Sequence, residues 1–472
     1  MALSFEQLPV NTAVKVPVIT NWTPVIGYML YTNDAVDTYY YHKLILEVRL
    51  DSSTGTVLGK IKQRRNGYSV DVSNDDARAF FDLRDIVNTQ LVDTVYDQNL
   101  TGAPFSTVHK VGANSTARIY SVSGNKQQDR SQVVKIYVKG YQEYSLSQNA
   151  SPTENATGAQ NSTLYYMQAT LPLTTPRFVT SGGVDATYIQ GNSFEGYTIS
   201  DTGAKFLSDL THTDYNNGAV QLRGYMNFIT ENDYHTLAFL NNNADFDSDL
   251  VSILIQYYDS GGSIIGTNQI IPNTSGNGGA NPSSEANTTP EYLIYFGCGP
   301  ANLEASTVTP TSGSAGDAAP SNFANWAYYR VVGVNSSAAQ TTDNYYFIKT
   351  DSNCKGYKAR RLAWRNSLGC YDYYNFNMKS SQKVEVKRDS YGQMLGVFNK
   401  SKYRYDEGGR GQSVMKTTAV LKETLQTDWV RETDAHLFEK LLLSTNVEII
   451  ENADTIKYTI KIEYANPLNT NS

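Results

Sequence analysis

Cysteine is scarce: Cys298, Cys354 and Cys370 are the only three in 472 residues. An odd count without a C-x-x-C spacing argues against a disulfide framework and against a zinc site. Charge is sparse as well, since Asp, Glu, Lys and Arg make up 18% of the chain and the net charge is −7. That balance argues against wholesale nucleic-acid binding. No apolar run approaches the roughly 18 residues of a membrane span. The opening residues MALSFEQLPVNTAV hold neither the basic stretch nor the apolar core of a secretory leader. The Asn-x-Ser/Thr triplets at Asn114, Asn155 and Asn161 therefore read as by-products of an Asn/Ser/Thr-rich chain. A soluble protein made in a reducing cytoplasm is expected.

Catalytic patterns are missing too. The five histidines (His42, His109, His212, His235 and His436) stand far from one another and from any Cys or patterned carboxylate. No Gly-rich phosphate loop is present, and Gly261-Gly262 between two apolar stretches reads as a hairpin turn. Asp245-Phe246-Asp247-Ser248-Asp249 alternates carboxylates as calcium loops do, but lacks the turn glycine and the downstream glutamate. Among 46 acids no spacing selects the facing pair of a glycosidase. The expectation is a protein that is not an enzyme, with no cofactor, no metal, no membrane contact and no specific nucleic acid.

Tyrosine is abundant, at 35 residues beside 16 Phe and 4 Trp. Tyrosine suits broad strands and wet interfaces, because an apolar ring carries a polar tip. The runs Tyr39-Tyr40-Tyr41, Trp326-Ala327-Tyr328-Tyr329 and Tyr371-x-Tyr373-Tyr374 could be sugar-stacking platforms or strands that alternate between core and surface.

Along the chain, residues 1–24 read as an extended arm broken by Pro9, Pro17 and Pro24. A β domain with one short helix is expected over 25–145. Its strands are Val25–Tyr31, Tyr39–Leu50, Thr56–Arg64 and Gln132–Val138, with a basic rim at Lys60, Lys62, Arg64 and Arg65. Ser73-Asn74-Asp75-Asp76 offers caps for a helix whose apolar face is Ala77, Phe80, Phe81, Leu83 and Val87. Residues 146–161, rich in Ser, Asn, Thr, Gly and Ala, read as a long loop or a domain boundary. Over 146–325 the pattern is a variable β region with strands at Ala219–Ile229, Leu250–Tyr258 and Tyr292–Phe296. Two low-complexity loops interrupt it, Pro272–Pro290 and Ala305–Asn322. The last domain, 326–472, combines strands, a helix with Leu437, Phe438, Leu441 and Leu442 on one face, and a terminal hairpin pairing Val447–Ile450 with Thr455–Tyr464. The fold class is mainly β, in β-sandwich-like domains with a few short helices, and α+β at the C-terminus.

Residues 356–391 stand out. Two aromatic strands flank Arg365-Asn366-Ser367-Leu368-Gly369, whose Asn, Ser and Gly favour a tight turn. In the next strand Lys383-Val384-Glu385-Val386-Lys387 alternates charged and apolar residues, so one buried and one wet face are expected. From Lys355 to Arg431 there are 16 basic and 7 acidic residues, a balance of +9, which leaves −16 for the remainder. Arg360, Arg361, Trp364, Lys383, Lys387 and Arg388 are the candidate interface. Complementary charge of this kind steers assembly and fixes register more than it adds affinity.

The pattern Trp364-x-Asn366-x-x-Gly369-x-x-Asp372-x-x-x-Phe376, followed by a charged strand and Tyr391, resembles a segment of virion structural proteins of tailed bacteriophages, including crAss-like phages and others of Bacteroidota and marine bacteria. Residues 24–93 look similar as well. Asn366, Gly369 and Asp372 would be its structural turn, and Cys370 departs from it, standing where a second glycine is expected. The resemblance implies a subunit of the tail, baseplate or portal-proximal collar, located in the virion, made in the bacterial cytoplasm and partnered by copies of itself and other virion proteins. The alternatives are a receptor- or glycan-binding adhesin or head decoration that contacts a host surface glycan, and a polysaccharide depolymerase.

Overall fold

The computed structural model describes residues 3–8, 18–20, 27–32, 39–50, 52–64, 77–90, 109, 119–122, 133–167, 169, 178–180, 187–189, 205–210, 212–217, 220–240, 252–272, 293–305, 326–335, 337, 339–350, 356–357, 359–394, 396–399, 401–405, 411–427, 430, 432–450 and 455–456. Strand dominates these residues, with three helices, α1 (Arg84–Asn88), α2 (Pro300–Ala305) and α3 (Glu432–Leu443). The fold is mainly β with a few short helices. The chain divides into two units. The larger comprises Met1–Thr350, Arg361–Tyr374 and Arg431–Ser472, and the smaller comprises Asp351–Arg360 and Asn375–Val430.

In the larger unit, a three-stranded sheet faces a five-stranded one across a common core. The first runs β1 (Ser4–Gln7), β3 (Gly27–Thr32), β6 (Ala77–Asp82). The second runs β2 (Val18–Thr20), β9 (Thr153–Met167), β8 (Val133–Ser145), β4 (Tyr40–Leu50), β5 (Val57–Arg64). Leu44, Leu46 and Val48 of β4 alternate inward beside Val134, Ile136 and Val138 of β8, and meet Tyr28, Leu30 and Phe81 from the other sheet. Each such fully buried side chain contributes about 1.5–3 kcal/mol. The layers approach closely at Gly140, where a Cβ would lie 2.4 Å from the Leu30 side chain.

A second sandwich follows. Its six-stranded sheet runs β12 (His212–Asn217), β13 (Val220–Ile229), β19 (Tyr345–Lys349), β18 (Tyr328–Val334), β15 (Ser252–Tyr258), β16 (Ile264–Pro272). The facing sheet is β14 (Thr236–Leu240), β17 (Leu293–Gly297), β7 (Ile119–Val122). This six-stranded sheet spans residue 325, where the sequence suggests a domain boundary. It is apolar on both sides: Tyr329, Tyr345 and Phe347 enter the inter-sheet core, while Tyr328, Tyr346 and Ile348 join a second cluster. Trp326, Tyr328 and Tyr329 are thus all buried, at 1% exposure each, and offer no aromatic platform. The β15–β16 hairpin turns at Gly261-Gly262 as the sequence predicts. Asp259 Oδ1 accepts from the Gly261 and Ser263 amides at 2.8 Å each, and Gly262 sits at φ +86°.

A four-stranded sheet completes this unit, β21 (Tyr371–Phe376), β20 (Arg360–Arg365), β26 (Val447–Ile450), β27 (Thr455–Ile456). Leu437 and Leu441 of α3 are buried, Phe438 stacks edge-on against Tyr374, and Leu442 is exposed. A small hairpin pairs β10 (Phe178–Thr180) with β11 (Thr187–Ile189). The smaller unit holds a long ribbon of β22 (Ser381–Gly392) with β25 (Gln412–Thr424), and a hairpin of β23 (Gly396–Asn399) with β24 (Lys402–Tyr405).

Several expectations need correction. The helix expected after Ser73–Asp76 is strand β6 followed by the five-residue α1. Ala77, Ala79 and Phe81 are buried in alternation, so the two-residue period prevails over the helical one. The loop expected over 146–161 is mostly strand, because Thr153–Met167 forms a long ladder with β8. Its polar composition reflects a wet face, and its main-chain hydrogen bonds fix the conformation regardless. Within the segment read as an arm, Ser4–Gln7 pairs with β3 and Val18–Thr20 with β9, both in sheets of the same chain. Only Thr455 and Ile456 of the second terminal strand lie among the described residues, where they pair with Ile450 and Ile449. Pro272 ends β16 and Ala305 ends α2; the rest of the two low-complexity loops, and Asp245–Asp249, fall outside the described residues.

Candidate interaction surface

The turn between β20 and β21 is built by the residue types that single it out in the sequence. Asn366, fully buried, accepts from the Leu368 and Cys370 amides through Oδ1 at 3.0 Å each and donates from Nδ2 to the Leu207 carbonyl at 3.0 Å. Gly369 adopts φ +86°, a conformation that favours glycine. Asp372 accepts from Ser208 Oγ at 2.6 Å and from the Asp209 amide at 2.9 Å. Asp209 in turn accepts from the Ser367 amide and hydroxyl and from Lys440 at 2.7 Å. Burial, and then the neighbouring Asp209 carboxylate, push the Asp372 carboxyl up to about 7. Cys370 leaves the turn intact: its carbonyl accepts from the Asn366 amide at 2.8 Å, and its thiol, like that of Cys298, is buried and pushed up by that burial.

Two of the candidate interface residues are interior. Trp364 is fully buried. Arg361 is 5% exposed. It donates to the Tyr234 carbonyl at 2.9 Å and to His235 Nδ1 at 3.0 Å, pairs with Asp233 at 3.4 Å, and lies 5.1 Å from the Tyr373 ring centroid. Burial and the Arg361 cation hold His235 well below the ordinary histidine range, so its ring is neutral with Nδ1 as acceptor. Nearby, His109 bridges Tyr373 (2.7 Å) and Glu448 (3.1 Å), each of the three being buried. A His between a carboxylate and a phenol is a relay geometry in an open cleft. With His109 at 0% and Glu448 at 1% exposure, the network is buried and joins β21 to β26.

The basic rim of β5 is answered within its own sheet. Lys60 and Lys62 reach Glu154 at 2.9 Å each, Lys62 also binds Glu143, and Lys60 lies 3.6 Å from Glu47. Lys62 and then Lys60 pull the Glu154 carboxylate down to about 2. Arg65 lies outside the described residues.

The remaining candidates belong to the smaller unit. Arg360 pairs with Glu423 of β25 at 2.8 Å, both largely shielded. Lys383, Lys387 and Arg388 lie on β22, which is exposed along nearly its whole length. The buried face expected of this strand is not buried: Val384 is 59% exposed and Val386 50%. Cross-strand partners share a face, and the register pairs Val384 with Leu421 and Val386 with Ala419, flanked by Gln382/Glu423 and Arg388/Thr417. Leu421 is 61% exposed. The opposite face carries Lys383/Lys422, Glu385/Val420, Lys387/Thr418 and Asp389/Lys416. There Glu385 separates two like charges, accepting from Lys422 at 3.0 Å and Lys383 at 3.1 Å, which hold its carboxylate low. Among the described residues of its own unit Arg360 reaches the ribbon at Glu423, while Val384, Val386, Val420 and Leu421 stay 50–61% exposed on a strand about 40 Å long at about 3.4 Å per residue.

Among the described residues no cluster of three or more His, Cys, Asp or Glu is placed to hold a metal ion, and no helix is long and apolar enough to cross a membrane. No protein-family model matches the chain, and no curated protein does. Among solved structures the chain is similar to the crystal structure of CBD12 from CALX1.2, over 71% of this chain and 82% of that one, at 10% identity and a TM-score of 0.17, a likeness too slight to carry an argument.

Proposed function

We propose that this chain is a structural subunit that acts by binding copies of itself and other building blocks, and that its place is in the virion of a tailed bacteriophage. The observation that carries the assembly part is the uncovered β22–β25 ribbon. An isolated two-stranded ribbon is marginally stable in water. A stripe of half-exposed Val384, Val386 and Leu421 on a long ribbon is the surface that partner docking covers. The virion part rests on the Trp364–Phe376 pattern. The chemistry-bearing side chains bear on the same side: His109, His235, Glu448 and Asp372 all serve buried structural networks. Electron microscopy of the purified protein tests the reading. Rings or stacks of fixed symmetry are the expected result, and isolated single molecules at all concentrations contradict it.

A second reading, a glycan-binding adhesin, is favoured by one feature. Tyr41 holds φ +58° at an irregularity in the β4–β8 ladder, and Tyr40 and Tyr41 are 44% and 57% exposed. Exposed rings held at a strained backbone present an apolar face on which a sugar can stack. A glycan array with the wild type and a Tyr40→Ala/Tyr41→Ala variant separates the readings: array binding that the variant loses supports the adhesin. A hydrolysis assay on the bound polysaccharide covers the depolymerase.

A further inference from the structure

The two units carry opposite charge. The smaller one, residues 351–360 and 375–430, has 13 Lys/Arg and 7 Asp/Glu, or +6, which leaves 26 and 39, or −13, for the larger one. Within the larger unit, the cations of β5 are already neutralised by Glu47, Glu143 and Glu154. On the ribbon the excess is outward: Lys387 and Arg388 lie on opposite faces of β22, and Lys416 stands beside them on β25.

Two arrangements could cover the apolar stripe of Val384, Val386, Ala419 and Leu421. Packing ribbon against ribbon about a two-fold axis would bring two +6 units together. Packing the ribbon on the larger unit of another copy brings +6 against −13. Within a Debye length of about 10 Å the sign of that interaction selects between them. A contact between different surfaces of identical chains is head-to-tail, and it propagates into a closed ring or an open stack instead of stopping at a dimer.

We infer that the β22–β25 ribbon of one copy docks, through its Val384/Val386/Leu421 face, on the acidic larger unit of a neighbouring copy, so that the chain assembles head-to-tail. This rests on the assembly reading above and names its partner and polarity. The test is sedimentation velocity of the full chain at 50 and 500 mM salt, for the wild type, a Val384→Asp/Leu421→Asp variant and a conservative Val386→Leu variant. The wild type is expected to form assemblies of three or more copies whose apparent association weakens at least tenfold at high salt. The Asp variant should run as a monomer with unchanged circular dichroism and melting, since both side chains are uncovered within their unit, and the Leu variant should assemble as the wild type does. Wild-type assemblies that the Asp variant reproduces would overturn the ribbon inference and leave the assembly reading standing. Assemblies that stop at a dimer, or that ignore salt, overturn the head-to-tail polarity. A wild type that is monomeric at every concentration overturns both.

Discussion

Replacing Asn366 by Ala removes a side chain that holds three buried main-chain groups. The Leu368 and Cys370 amides lose their shared acceptor and the Leu207 carbonyl loses its donor, each at 3.0 Å in the wild type. All three residues are at most 5% exposed. A buried polar group left without a partner costs about 1–3 kcal/mol, so the three together cost about 3–9 kcal/mol before any water enters the space. That is a large part of the 5–15 kcal/mol typical of a folded protein. Urea unfolding followed by tryptophan fluorescence, which senses the neighbouring buried Trp364, reads the shift directly. Asn366→Asp keeps the acceptor for both amides but turns an oxygen toward the Leu207 carbonyl, so it also destabilises. A cost below about 1 kcal/mol for Asn366→Ala would show that the turn does not depend on its asparagine.

Other outcomes follow from the same networks. The Asp372 carboxyl is raised to about 7 in the fold, so it keeps its proton between its unfolded value and that pH while the unfolded chain has lost it. Stability from this group is therefore complete at low pH and is lost as pH rises toward 7, at up to about 1.4 kcal/mol per pH unit; unfolding curves at pH 5, 6 and 7 should show that decline, and Asp372→Asn should flatten it. Glu154, held down to about 2, has the opposite sign: its contribution is present above the ordinary glutamate range and fades as pH falls toward 2, so Glu154→Gln should lessen the loss of thermal stability measured between pH 5 and 3. Arg361→Met leaves the Asp233 carboxylate without that cation at 3.4 Å, at a cost of about 3–5 kcal/mol in urea unfolding. Removing that cation also raises the His235 titration point, which nuclear magnetic resonance of its ring protons would show.

Much of the fold is legible because strand alternation is local. Leu44, Leu46 and Val48 announce one buried face, and β4 provides it. Asn366, Gly369 and Asp372 announce a turn, yet their partners Leu207, Ser208 and Asp209 lie about 160 residues away, beyond the reach of any local pattern. The same distance misleads at Arg361. An arginine on a strand suggests a surface cation, but Asp233, Tyr234 and His235 take it into the interior. The helix expected at 77–87 fails because Ala77, Phe81 and Val87 fit a helical face only when Ala79 and the pairing with β3 are overlooked. In β22, alternation separates two faces correctly but carries no information on whether anything covers the apolar one.

The central claim is that the ribbon is a contact made between copies. Hydrogen exchange of peptides spanning 381–392 and 412–424, followed by mass spectrometry over a dilution series, tests it most directly. The expected result is strong protection at high concentration that disappears on dilution, while the buried strands β4 and β8 stay protected throughout. Ribbon exchange that is the same at every concentration would contradict the account.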